Sequence, residues 1–138
     1  MLAFSSTAQV VRCETEQASA VIKPLSTETV PISGDLNPEA GHAYDRYGPW
    51  GGAGAKITKI IVQFSWTPTS CGGVAGIIDK QTGTGYYYPQ SSFIYGGYYD
   101  HCFLINGTAQ YDQWYVDIGG KTDGVWMHYS GYIYIVYG

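Results

Sequence analysis

The stretch Ile57-Thr58-Lys59-Ile60-Ile61-Val62-Gln63-Phe64-Ser65-Trp66 decides the fold. Ile60, Val62, Phe64 and Trp66 share one parity, and Lys59, Gln63 and Ser65 share the other. That period of two belongs to a half-buried β-strand, whereas a helix would scatter both sets around its circumference. Trp114-Tyr115-Val116-Asp117-Ile118 repeats the pattern with Trp114, Val116 and Ile118 inward. Tyr132-Ile133-Tyr134-Ile135-Val136-Tyr137 is β-branched or aromatic throughout, which favours a strand. Residues 74–78, 85–88, 92–95, 101–105 and 125–129 read as shorter strands. Turn signals at Gly72-Gly73, Thr82-Gly83, Gly96-Gly97, Asn106-Gly107, Gly119-Gly120 and Ser130-Gly131 separate them. Strands at this spacing, with no helical period between them, predict an all-β fold: an antiparallel β-sandwich, jelly-roll-like.

Outward from these strands the composition divides near residue 44. Phe4 is the only aromatic residue among the first 43, and all four glutamates (Glu14, Glu16, Glu28 and Glu39) lie there as well. Residues 1–43 are therefore read as an extended N-terminal arm and residues 44–138 as a Tyr/Gly-rich sandwich body. The arm carries apolar bursts at Val10-Val11, Ala20-Val21-Ile22 and Val30-Pro31-Ile32, punctuated by Pro24, Pro31 and Pro38. Prolines at this density exclude a long helix and favour extended chain or edge strands. A short helix over residues 7–18, capped by Ser6 or Thr7, is the other reading. Too poor in apolar residues for a core of its own, the arm is expected to dock on the body or on a neighbouring subunit.

The whole chain, 138 residues with 16% aromatic and 13% charged residues, fits one domain. The charged share is about half the usual value, and the apolar content excludes disorder throughout. A net charge of −4 argues against binding nucleic acid by phosphate neutralisation. No stretch reaches the roughly 20 apolar residues of a membrane helix. The first residues, Met1-Leu2-Ala3-Phe4-Ser5-Ser6, lack the basic and apolar regions of a signal peptide. An extracellular or virion location is nevertheless the expectation. Asn106-Gly107-Thr108 matches the N-glycosylation pattern, read as chance without that signal. Three cysteines, Cys13, Cys71 and Cys102, read as reduced thiols, with Cys71–Cys102 the favoured pair if one disulfide forms.

Catalytic chemistry finds little footing. There is no Gly-x-Ser-x-Gly elbow, and His101 and Cys102, neighbours on a strand, point to opposite faces. The body offers only aspartates for an acid–base pair, most of them at turns. His42, His101 and His128 lack ligand spacing for a metal. No enzyme activity, cofactor or metal is expected.

Tyrosine is the informative surplus. Tyr86-Tyr87-Tyr88, Tyr95, Tyr98-Tyr99, Tyr111, Tyr115, Tyr129, Tyr132, Tyr134 and Tyr137 occupy both parities of their strands, so one core cannot take them all. Rings left outside offer rigid contact area with a polar tip, which suits interfaces and recognition. The expected role is a non-enzymatic structural subunit of a virion-type particle or surface filament, self-associating or joining other structural subunits. The alternative is a carbohydrate-binding lectin, its rings stacking on a glycan while polar groups bond the hydroxyls. Candidate ligand-binding residues are Tyr98, Tyr99, Asp100, His101, Tyr111, Asp112, Trp114, Trp126 and His128. A membrane-active β toxin is the third reading, with Tyr and Trp at the lipid interface.

Gly48-Pro49-Trp50-Gly51-Gly52-Ala53-Gly54 resembles the Gly-Pro-Trp-Gly-Gly opening of jacalin-related lectins, and Gly119-Gly120-Lys121 with Ser130-Gly131-Tyr132 is loosely similar to their carboxy-terminal region. The resemblance implies a sugar-binding β-prism. The body from Gly48 is too short for three sheets, and the strand after Gly131 offers Tyr and Ile in place of that family's aspartate. No site residue is carried over.

Overall fold

The structure is a computed structural model, and it describes residues 8–12 (as backbone), 26–37, 39, 42–90 and 92–138. Among the described residues nine strands form: β1 (Ala8–Arg12), β2 (Ser26–Leu36), β3 (His42–Gly51), β4 (Ile57–Thr67), β5 (Gly72–Asp79), β6 (Gly85–Tyr88), β7 (Tyr98–Gly107), β8 (Gln113–Lys121) and β9 (Met127–Tyr137). A 3-10 turn, Thr108–Tyr111, joins β7 to β8. One sheet runs β1-β7-β4-β9-β2 and the other β3-β8-β5-β6, with every pair antiparallel.

That order is a jelly roll. Strands β2 and β9, β3 and β8, β4 and β7, and β5 and β6 pair as mirror images about the β5–β6 turn. Successive pairs belong alternately to one sheet and the other, as when a long antiparallel ribbon is rolled up. The contacts β4–β9 and β5–β8 then complete each four-stranded wall. β1 adds a fifth strand beside β7, from Ala8 opposite Gly107 to Arg12 opposite Phe103. The two sheets replace the three-sheet prism that the Gly48–Gly54 resemblance implies.

The parity of β4 is borne out. Ile60, Val62, Phe64 and Trp66 are buried, and Phe64 stacks on Tyr99 at 5.1 Å and tilts against Trp66 at 5.3 Å. Trp114, Val116 and Ile118 face them from β8. Both buried indoles find acceptors, Trp66 Nε1 donating to Cys71 O at 2.8 Å and Trp114 Nε1 to Ala109 O at 3.1 Å. Tyr129 is the polar point of this interior, its hydroxyl donating to Asp45 at 2.6 Å and touching that of Tyr47.

Several local expectations are corrected. Ser130-Gly131 and Gly119-Gly120 lie inside β9 and β8 rather than at turns, and Gly72-Gly73 opens β5. Glycine there serves close packing: a Cβ at Gly73 or Gly120 would fall within 2.7 Å of Trp66 or Met127. Residues 92–95 form no strand, only one bridge between Ile94 and Gly73. Residues 8–12, read alternatively as helix, are a strand, because pairing with β7 outweighs a weak local propensity. Cys71 is a buried free thiol and Cys102 is disulfide-bonded, so neither the Cys71–Cys102 pair nor three reduced thiols is found. Cys13 lies outside the described residues, as do the apolar burst at residues 20–22, Pro24 and Pro38. Among the described residues no helix is long and apolar enough to cross a membrane.

Candidate functional site

The outer face of the five-stranded sheet is a grid fixed by register. One row reads Pro31, Tyr132, Gln63, Asp100 across β2, β9, β4 and β7. The next reads Ser33, Ser130, Ser65, Tyr98, and the third Asp35, His128, Thr67. Small serines thus form a floor between two large rings, and a trough of about 400 Å³ opens there. Tyr98 and Tyr132 flank it, each about half exposed. Gln63 Nε2 donates to Asp100 Oδ1 at 3.3 Å, steadying both above the floor. Partial burial raises the Asp100 carboxyl pKa, and the Gln63 hydrogen bond opposes that rise. Tyr98 is likewise raised, by burial first and then by Asp100 and Tyr134. Tyr134 stacks on Tyr132 at 6.1 Å and props that ring. His128 and Asp35 pair at the trough's lower margin, both exposed.

The opposite face of the molecule differs in chemistry. Arg46 lies over the Tyr115 ring at 5.0 Å and grips Asp117 in a fork, Nε to Oδ1 at 2.7 Å and Nη2 to Oδ2 at 3.0 Å. Tyr87 donates to Asp117 Oδ2 at 3.0 Å. Asp117 holds the Arg46 guanidinium pKa above its usual value, while burial opposes this. Burial, then Asp117, pushes the Tyr87 phenol up to about 12. Tyr44 stands beside this cluster with 65% of its surface exposed. A groove of about 570 Å³ runs alongside, bounded by Tyr87, Tyr115, Arg46 and Lys80.

The nine residues singled out from the sequence do not converge. Tyr99, His101 and Trp114 are buried in the core. Tyr99 donates to Tyr88 O at 2.6 Å, and the His101 ring stacks on Tyr88 at 4.0 Å. Tyr111 and Asp112 sit at the end built by the β3–β4, β5–β6 and β7–β8 connections, where Lys56 lies over the Tyr111 ring at 5.9 Å. Burial, then the neighbouring Asp79, pushes Asp112 up to about 6. Trp126 stands half exposed on the β8–β9 loop at the opposite end. Only Tyr98 lines the trough; Asp100 stands beside it, hydrogen-bonded to Gln63, and His128 lies one row below the serines. Gln63, Ser65, Ser130 and Tyr132 were missed as ligand candidates. The outward parity of β4 had already named Gln63 and Ser65, but only pairing reveals that β9 and β7 lie on either side.

Among the described residues, no three His, Cys, Asp or Glu side chains gather to hold a metal ion. No family model, curated protein or solved structure matches the chain.

Proposed function

We propose that this chain is a non-enzymatic structural subunit that builds a virion-type particle or surface filament through its aromatic β faces. The jelly roll serves capsid and lectin domains alike, so the fold by itself carries neither role. The supporting observation is the outer face of the four-stranded sheet, where Tyr44, Tyr87, Tyr115 and Arg46 spread over one wall. Tyrosine and arginine are the residues enriched where proteins meet, because each gives large contact area and a directed polar end. Here Asp117 fixes Arg46 and Tyr87 beforehand, which lowers the entropy lost on docking. Only two of the fourteen tyrosines, Tyr99 and Tyr129, are buried, leaving rings available on both walls and at both ends.

Size-exclusion chromatography with light scattering on the intact chain tests this reading. Self-association is expected at concentrations on the order of 100 μM, with Tyr44→Asp weakening it by about tenfold or more. An intact chain that remains monomeric there, or an association indifferent to Tyr44→Asp, would overturn it.

A further inference from the structure

We infer that the trough on the outer face of the five-stranded sheet binds a neutral oligosaccharide. Its floor is hydroxyl-bearing, from Ser130 and Ser65, and its upper margin carries the Gln63 amide and the Asp100 carboxylate. Sugar hydroxyls need both donors and acceptors, which this set supplies. Tyr98 and Tyr132 stand on β7 and β9 with β4 between them, two strand spacings across and two residues along, about 12 Å apart. At that separation their exposed ring faces suit the apolar C–H faces of sugar units two apart along a chain, and each phenol adds a polar tip.

Two features narrow the ligand. The charge beside the trough is the Asp100 carboxylate, which repels acidic sugars and leaves neutral ones unpenalised. A peptide strand fits poorly, because β4 and β9 are both paired on each side and offer no free edge for backbone hydrogen bonds. The site is separate from the Arg46–Tyr87 face and stands whether or not that face assembles.

The test is an amide-shift titration of the ¹⁵N-labelled intact chain with maltotetraose, cellotetraose and tetra-N-acetylchitotetraose in turn. At least one is expected to move the Gln63, Ser65, Tyr98, Ser130 and Tyr132 amides along a saturating curve, with a Kd of about 1 mM or tighter. Tyr98→Ala and Tyr132→Ala, both at exposed rings, should each weaken it by about tenfold or more, while Tyr111→Ala, an exposed ring at the end of the sandwich, leaves it unchanged. The inference falls if none of the three sugars moves these amides at about 10 mM, if the shifts map outside the trough, or if both tyrosine variants bind like the parent. Tighter binding of a heparin-derived tetrasaccharide than of any neutral sugar would overturn it as well.

Discussion

Arg46 and Asp117, seventy-one positions apart in sequence, meet as a two-bonded fork on the outer wall of the jelly roll. The carboxylate is almost fully covered while the guanidinium remains partly open, so the pair anchors β3 to β8 at a half-wet site. Asp117→Ala would leave Arg46 and the Tyr87 hydroxyl without their acceptor. The expected loss is about 1–3 kcal/mol in urea unfolding, less than for a fully buried pair because solvent reaches Arg46.

Gly76 is the device that lets Tyr87 lie flat. A Cβ there would stand 2.2 Å from Tyr87 Cδ2, near the root of the ring, so the side chain must lift away. Gly76→Ala is therefore expected to cost about 1–3 kcal/mol through overpacking and loss of the Asp117 bond. Tyr87→Ala should relieve it. A double-mutant cycle that shows simple additivity between the two changes would refute this account.

Asp112 sets a pH dependence of stability. Its folded pKa, about 6 against an ordinary 3.8, means that the folded chain holds more protons than the unfolded chain between those values. Unfolding free energy should thus fall as pH rises through that window, from this group, and level off above it. Asp112→Asn should flatten the slope and raise the urea midpoint at neutral pH. Chemical denaturation across this pH range checks both.

The cysteines make a covalent prediction. Cys71 is 1% exposed, and burial, then Asp123, raises its thiol pKa. It should resist alkylation until the chain unfolds. Because Cys102 is disulfide-bonded and Cys71 is free, non-reducing peptide mapping should recover the Cys102 peptide cross-linked and the Cys71 peptide as a free thiol. Recovery of Cys102 as a reactive thiol would contradict this.

Tyr129→Phe tests the polar point in the core. It removes the donor to Asp45 and the contact with Tyr47 while keeping the ring that packs edge-on against Phe64 at 6.0 Å. The expected cost is about 1–2 kcal/mol in denaturant unfolding, set by a carboxylate losing its partner rather than by a cavity. A loss as large as Phe64→Ala would instead show that packing had been disturbed.

How much was legible follows from what each feature needs. The β4 parity, the inward face of β8, the strand character of β9 and the all-β class depend on residues within one strand, so local patterning and composition carry them. The Tyr surplus needs only counting and parity. Glycines misled the reading at residues 72–73, 119–120 and 130–131, because a glycine that makes room for Trp66, Met127 or Phe64 looks the same in sequence as one that makes a turn.

The sequence by itself determined that this chain is a β-sandwich with more rings than its core can hold, because alternation and composition are local properties. Tertiary structure alone decided which rings meet. Tyr98 and Tyr132 share a trough, and Tyr99 and Trp114 leave the candidate site for the core, only because β4 lies between β7 and β9 in one particular register. Partner choice and register come from long-range pairing and from the closing of two sheets over one interior, and no window along the chain encodes them.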